Sequence, residues 1–339
     1  MIILFLFLGA LALLVALLLF GFVGCSTIIP ALGEDYAGVI EQTGGLVSYW
    51  RLGDAHDTTP IPNGAAVDQV GGNNGTYLTL PSGGGSPNHY SPPVAGVATV
   101  GAIPGLLAIP QDSDPCFDTE GGAGYVQVPF KAELNPPQFT FEAWVSPDPI
   151  LSVSPDGNFY CLAESTGPPG FSGPQLGWGI YLGPSAPGHA DGPFWQVWMG
   201  FGPGAAPGGQ YQLVLLANKS NPPAQAGTEL TLTYLALTFD GDLLQLWLYY
   251  PYNNQSLDCN DVAAVLGDEV SVTNIVPNNS GDFFIGTGSN LVPAAPLPTT
   301  RLYPFRGRIQ EVALYNVSLV SGSCGIDTLA SHVAASGNL

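Results

Sequence analysis

Carboxylates are the most numerous side chains in this sequence that could do chemistry. The 339 residues include 26 Asp and Glu but only 6 Lys and Arg, which gives a formal net charge of −20. Two carboxyls about 5–5.5 Å apart can cleave a glycosidic bond, and residues two apart on one strand would supply such a pair. Glu142 has no partner of this kind, and Asp240 and Asp242 flank a predicted turn. The four histidines are scattered, which favours no Ser/His/Asp or Cys/His arrangement. We therefore expect no catalytic residues and no enzymatic activity.

Cysteines offer a second chemistry, which is disulfide formation. Four of the five lie in the part of the chain that follows residue 100: Cys116, Cys161, Cys259 and Cys324. An even number of cysteines in a secreted domain indicates two disulfides, for which three connectivities are possible. Free buried thiols are the alternative. No Cys or Cys/His spacing is typical of a zinc site.

Asparagine sequons predict N-glycosylation of a protein exposed at the cell surface. Five Asn-x-Ser/Thr triplets occur, none with proline in the middle. They begin at Asn74, Asn218, Asn254, Asn278 and Asn316.

Three tryptophans are candidates for ligand binding, because exposed aromatic rings stack on sugars. They are Trp178, Trp195 and Trp198. In a chain that is 46% hydrophobic, packing of these rings in the core is the alternative. The partner that they would imply is a glycan or a surface protein.

The overall composition limits both the fold and the partners. Only 9% of residues are charged, and 45 Gly and 32 Pro interrupt the chain, a composition that few helices tolerate and that loop-rich β-sandwiches accept. Nucleic-acid binding requires a basic surface, which this acidic chain does not have. The charge is typical of a soluble extracellular surface.

Residues 1–24 form an uninterrupted apolar segment with no charged side chain. As a helix the segment would be roughly 35 Å long, enough to cross a bilayer core. A signal peptide fits poorly, because no basic residues precede the apolar run and the run is too long. The lipobox-like residues before Cys25 offer a second interpretation. A helix that is apolar on all sides must be buried in lipid or against other helices, so we favour a retained helix.

This segment resembles the N-terminal helix of the type IV pilin superfamily, which packs in a filament core beneath a β-rich domain. Phe5 stands where bacterial members carry Glu, so the archaeal type is the better match. The resemblance implies self-association through residues 1–25. Residues 26–35 then form a linker that contains Pro30.

From residue 45 onward, short apolar runs alternate with Gly/Pro/Asn clusters, a pattern typical of strands and turns. Within FTFEAWV, Phe139, Phe141, Ala143 and Val145 are predicted to share one face of a strand. Thr140, Glu142 and Trp144 then share the other. Gly241 is predicted to take a positive φ in a hairpin turn, and Arg306 and Arg308 are predicted to pair with carboxylates.

An ordered series of motifs resembles the laminin-G-like, concanavalin A-like lectin/glucanase domains. The motifs are YWRLGD at 49–54, GNNGTY at 72–77, FTFEAWV at 139–145, LTFDG at 237–241 and FRGRIQEVALYN at 305–316. A final short helix is expected at 326–332. The resemblance implies an all-β jelly-roll sandwich over residues 36–339.

The same resemblance implies a calcium site, because acids on the matched segments supply the hard oxygen ligands that Ca²⁺ prefers. The candidate ligands are Asp54, Asp68, Asp118 and Glu142. Solvated or arginine-paired acids are the alternative.

Two functions remain open at this point. The first is an extracellular structural or adhesive subunit, with the apolar helix in a filament core and the sandwich outside. The second is a membrane-anchored or lipid-anchored lectin-like module that binds carbohydrate or protein.

Overall fold

The computed structural model describes residues 35–54, 64–79, 99–100, 106, 116–119, 124–148, 159–167, 176–183, 194–201, 212–216, 232–251, 266–272, 275–288, 303–320 and 325–337. The predicted helix 1–25 and nearly all of the linker 26–35 lie outside these ranges. The filament and anchor alternatives that rest on them therefore stay predictions. Neither α-helix in the described ranges combines the length and the apolar character needed to cross a bilayer.

Most of the described chain is β-strand. The strands are β1 (Leu46–Trp50), β2 (Ala65–Ala66), β3 (Gly75–Thr79), β4 (Thr99–Val100), β5 (Phe117–Asp118), β6 (Gly124–Val128), β7 (Phe139–Pro147), β8 (Tyr160–Thr166), β9 (Gly177–Gly183), β10 (Phe194–Met199), β11 (Gln212–Leu216), β12 (Thr233–Phe239), β13 (Leu243–Tyr249), β14 (Leu266–Ser271), β15 (Phe283–Ile285) and β16 (Gly307–Tyr315). The helices are α1 (Tyr36–Gln42), a 3₁₀ turn (Ala132–Leu134) and α2 (Gly325–Ala335).

These strands form two eight-stranded sheets with antiparallel neighbours. Sheet A has the order β14-β13-β12-β7-β16-β5-β4, and β1 also pairs with β16. Sheet B has the order β11-β10-β9-β8-β15-β6-β3-β2. Two antiparallel sheets around one core confirm the predicted β-sandwich.

The main core lies between the sheets, and the strand alternation predicted for β7 is confirmed. Phe139, Phe141, Ala143 and Val145 belong to this core. Trp144 belongs instead to a second apolar cluster on the outer face of sheet A, which α1 and α2 help to cover. The hairpin between β12 and β13 contains Gly241 at φ +110°, also as predicted.

Glu142 lies at the centre of the outer face of sheet A and joins it to both helices. Its carboxylate is fully buried and accepts hydrogen bonds from the hydroxyls of Tyr234 and Tyr315. His332 of α2 places Nδ1 2.9 Å from Glu142 Oε2 and Nε2 2.9 Å from Thr43 Oγ1, at the end of α1. We call these five residues the Glu142 network.

The two tyrosines of the network are donors because their phenols stay protonated. Burial, together with the adjacent Glu142 carboxylate, raises the pKa of Tyr234 and of Tyr315 well above the ordinary tyrosine value. A buried carboxylate is stable only when hydrogen-bond donors replace water. The network therefore supplies the hydrogen bonds that water would otherwise make to the Glu142 carboxylate.

A second buried carboxylate holds β1 against β16. Glu311 is fully buried, has φ +57° and lies where the β16–β7 register shifts. It accepts a hydrogen bond from the hydroxyl of Tyr49 and lies 3.2 Å from Arg51 Nε. The arginine pairs predicted for Arg306 and Arg308 are also present, with Asp148 at 3.6 Å and Asp118 at 3.5 Å respectively.

Replacing His332 by alanine should destabilise the fold strongly, because it removes a hydrogen-bond partner from the fully buried Glu142. Removing one partner of a buried pair costs about 3–5 kcal/mol. Urea unfolding of the full chain measures this loss. Gln42→Ala, an exposed change on α1, is the control and should stay within about 0.5 kcal/mol of the parent. Equal stability of the two variants would contradict this role for the network.

Candidate functional site

A cavity of about 350 Å³ opens at one end of the sandwich. Four strand ends surround it: the starts of β7 and β9, the end of β12 and the end of β16. These ends meet because β7 is antiparallel to both β12 and β16, so that Phe139 pairs with Phe239 and Thr140 with Tyr315. We call this cavity the end pocket.

The floor of the end pocket is aromatic. Phe139 stacks on Trp178 with ring centroids 5.2 Å apart and an interplanar angle of 12°, and its centroid lies 6.0 Å from that of Phe239. All three rings line the pocket and are otherwise part of the core. Pro136, Pro137, Ile275 and Pro277 line it as well.

The polar side chains of the described lining are four amides, and none of the described lining residues is ionisable. They are Asn135, Gln138, Asn278 and Asn316. An amide side chain carries both a donor and an acceptor. The lining can therefore hydrogen-bond neutral polar groups but offers no charge to an ion.

Two of the amides are held by a directed chain of hydrogen bonds. Asn278 Nδ2 donates to Ser165 Oγ at 3.1 Å, and Ser165 Oγ donates to Asn135 Oδ1. Asn135 Nδ2 donates in turn to the carbonyl of Lys131 at 3.1 Å. These hydrogen bonds connect the loop that contains Asn278, strand β8 and the segment 131–135, so the side of the pocket that they form is ordered without a ligand.

The other two amides are available to a ligand. Gln138 directly precedes β7 and Asn316 directly follows β16, and both are exposed. Within the described residues, neither side chain makes a hydrogen bond. They therefore present unused donors and acceptors beside the aromatic floor.

Gly177 brings β9 close enough to β8 to close one side of the pocket. It has φ +86°, and a Cβ atom there would lie 1.8 Å from the carbonyl oxygen of Ser165. Its N–H donates to the carbonyl of Val276 at 2.8 Å, which ties the strand to the loop that contains Asn278. No larger residue fits this position.

The three tryptophans predicted to bind a ligand do not form one set. Trp178 lies in the floor of the end pocket and is 4% exposed, whereas Trp195 lies in the core. Trp198 packs on the outer face of sheet B against Phe159 with ring centroids 6.1 Å apart. Trp195 is thus packed in the main core, and of the three only Trp178 contacts the end pocket.

Two of the four predicted calcium ligands, Asp54 and Asp68, lie in the loops after β1 and β2 and are used within the protein. Asp68 accepts hydrogen bonds at 2.8 to 3.1 Å from the backbone N–H groups of Tyr49, Val70 and Asn73. Asp54 accepts from a backbone N–H and from the hydroxyl of Tyr77. Both acids thus hold loops in place.

The other two predicted ligands also have partners within the protein. Asp118 pairs with Arg308, and Glu142 is hydrogen-bonded within the Glu142 network. Across the described ranges no three His, Cys, Asp or Glu side chains come together as a metal site would require. The four predicted calcium ligands therefore do not come together at one site in the described structure.

The predicted disulfides involve two described cysteines, both of them buried. Cys116 directly precedes β5 in sheet A, and Cys161 lies in β8 of sheet B. Cys259 and Cys324 lie outside the described residues, so the pairing stays a prediction.

The Glu142 network has the hydroxyl–imidazole–carboxylate order of a nucleophilic triad, which the sequence did not suggest. Its hydroxyl, Thr43 Oγ1, already donates to the carbonyl of Val39 at 2.9 Å. His332 and Glu142 have no exposed surface, and neither lines the end pocket. The arrangement therefore serves to hold the helices.

Comparisons with known proteins give similarities of fold only. No family model matches the chain, and no curated protein matches it. Domain 4 of an extracellular arabinanase from Geobacillus stearothermophilus, solved in complex with arabinotriose, has a TM-score of 0.42 and 14% identity. The match covers 84% of this chain and 98% of that domain.

Two other solved structures have TM-scores in the same range. The binding domain of botulinum neurotoxin serotype D has a TM-score of 0.46 and 9% identity, covering 84% of this chain and 51% of that one. A Trypanosoma rangeli sialidase has a TM-score of 0.41 and 17% identity, covering 85% of this chain and 32% of that one. This chain therefore spans about half of the first protein and a third of the second.

Replacing Gly177 by alanine should destabilise the fold and distort the end pocket, since the new methyl group would overlap the Ser165 carbonyl. Gly72→Ala is the matched control, because Gly72 also has a positive φ, +67°, and has open space around it. The control should lose about 1–2 kcal/mol from backbone strain, and Gly177→Ala about 1–3 kcal/mol more. Urea unfolding of both variants measures the difference, and equal losses would mean that the close contact does not matter.

Proposed function

We propose that the domain binds a neutral saccharide in the end pocket, as a lectin-like module. The observation that carries the proposal is the combination of an aromatic floor with uncharged amides at the rim. A sugar ring has an apolar face of C–H groups and a rim of hydroxyls, and each hydroxyl both donates and accepts. The apolar face would pack on the rings of Phe139, Trp178 and Phe239. The hydroxyls would hydrogen-bond to the amides of Gln138 and Asn316.

The size of the pocket supports a small ligand. Ligand pockets range over about 300–1,000 Å³, and about 350 Å³ lies at the lower end. One or two sugar rings fit such a volume, with the rest of a longer chain extending into solvent. The hydrogen-bond chain through Ser165 supports the proposal further, because a rim ordered in advance loses little entropy on binding.

Charge favours an uncharged ligand. No ionisable side chain occurs among the lining residues that the structure describes, and the protein carries a formal net charge of −20. An acidic sugar would be repelled from a distance and would find no cation at the pocket. Sialic and uronic acids are therefore poor ligands under this proposal.

The proposal matches the second of the two functions drawn from the sequence. The part of the filament hypothesis that concerns residues 1–25 is independent of it. A saccharide-binding sandwich is compatible with either an anchored monomer or a subunit of an assembly.

Gln138→Ala should weaken saccharide binding while leaving the fold intact, because Gln138 is exposed and its amide makes no internal hydrogen bond in the described structure. A hydrogen bond contributes about 0.5–1.5 kcal/mol net, so Kd should rise by about two- to tenfold. The measurement is titration calorimetry of the full chain against neutral di- and trisaccharides of glucose, galactose, mannose, xylose and arabinose. The protein comes from a host that adds no N-glycans.

Gln42→Ala is the matched control, since it removes the same exposed amide from α1 and not from the pocket. The detergent that keeps residues 1–24 in solution must have no sugar headgroup, because such a headgroup would compete for the pocket. Absence of binding to every saccharide in the panel would refute the proposal. Equal affinities of the Gln138 and Gln42 variants would refute this placement of the ligand.

A further inference from the structure

Asn316 is both a residue of the end pocket and the first residue of a sequon. It follows the last residue of β16, is exposed and lines the cavity. Val317 and Ser318 complete the acceptor triplet. Its side-chain amide makes no hydrogen bond within the described part of the chain, so a glycan on its nitrogen would break no internal hydrogen bond there.

The other sequons in the described ranges differ from Asn316 in their exposure or in their distance from the end pocket. Asn278 is 3% exposed, and its amide nitrogen donates to Ser165 Oγ and to the carbonyl of Gly281. A glycan there is incompatible with the fold. Asn74 is exposed but does not line the pocket. Of these three sites, Asn316 alone combines exposure with a place at the pocket rim.

We propose that an N-linked glycan on Asn316 covers the end pocket and closes it to free saccharides. The inference rests on the proposed saccharide-binding function and names a way in which that site is regulated. Glycosylation would thus divide the protein into an open form, unmodified at Asn316, and a closed form. The choice between them would be made during synthesis.

The modification itself is a transfer without redox change. The Nδ2 atom of Asn316 attacks the anomeric carbon of an oligosaccharide linked to a lipid pyrophosphate. The new C–N bond forms as the bond from that carbon to the phosphate oxygen breaks, and the lipid pyrophosphate leaves with the electron pair. A base of the transferase takes the amide proton. Ser318 is buried in the folded chain, so the transfer precedes folding.

Closure follows from tethering. The first sugar is bonded to a residue of the rim and cannot diffuse away from an opening that leads to a cavity of only about 350 Å³. A tethered group has an effective concentration in the millimolar range or higher. A free saccharide must compete with that concentration as well as pass the attached glycan.

The test compares the full chain made in a eukaryotic secretory host with the full chain made in a host that adds no N-glycans. Glycopeptide mass spectrometry reports occupancy at Asn316. Calorimetry then measures affinity for the saccharide that the unmodified protein binds best. We expect Asn316→Gln from the secretory host to bind at least about tenfold more tightly than the parent from that host, a difference of about 1.4 kcal/mol.

Asn74→Gln is the matched control, because it removes an exposed glycan that does not line the pocket, and it should bind as weakly as the parent. Without glycosylation, the parent and Asn316→Gln should agree within the two- to tenfold effect of one hydrogen bond. The inference is overturned if Asn316 stays unoccupied where Asn74 is occupied. It is also overturned if the occupied parent binds as tightly as Asn316→Gln.

A second readout keeps the inference testable if no saccharide binds and the proposed function fails. Hydroxyl-radical footprinting measures how accessible side chains are without any ligand. Oxidation of Pro136 and Pro137, two of the more accessible lining residues, should be at least about twofold lower in the occupied parent than in Asn316→Gln, because the glycan shields the opening. Equal oxidation would show that the glycan does not cover the pocket.

Discussion

The carboxylate of Glu142 sets the strongest constraint on this structure. An acid at the centre of a sheet is tolerated only if hydrogen-bond partners surround it, and here the partners come from β12, β16 and α2. The same strand, β7, faces the core with its other side and begins at the end pocket. The hydrogen bonds of one buried acid therefore fix the strand on which both the core and the candidate site depend.

At least half of the cations of the chain form ion pairs within the protein. Arg51, Arg306 and Arg308, three of the six basic residues, each pair with a carboxylate. Pairing of this kind neutralises acids that folding brings together, and it leaves few positive charges for partners. Under the proposed function, a ligand would be recognised through shape, apolar contact and neutral hydrogen bonds, and the described lining of the end pocket can make these contacts.

Local pattern predicted the elements that keep strict alternation, and it failed where the backbone breaks that alternation. The two faces of β7 and the turn at Gly241 were predicted correctly because each depends on neighbouring residues only. Strand β8 departs from regular pairing, since a bulge between Cys161 and Ala163 shifts its register. The polar edge strand β14 lacks a continuous apolar face. The end pocket joins residues such as Asn135 and Asn278 from distant loops, and no spacing rule brings these together.

The Glu142 network joins Thr43, near the start of the described chain, to His332, near its end, and the two residues are 289 positions apart in the sequence. Contacts at such separation form late, because the loop that they close is long and its closure is entropically costly. The outer face of sheet A can be sealed only once α2 has left the ribosome. Until then, Trp144 and its apolar neighbours on that face stay open to other chains, so α2 protects this face against aggregation during biogenesis.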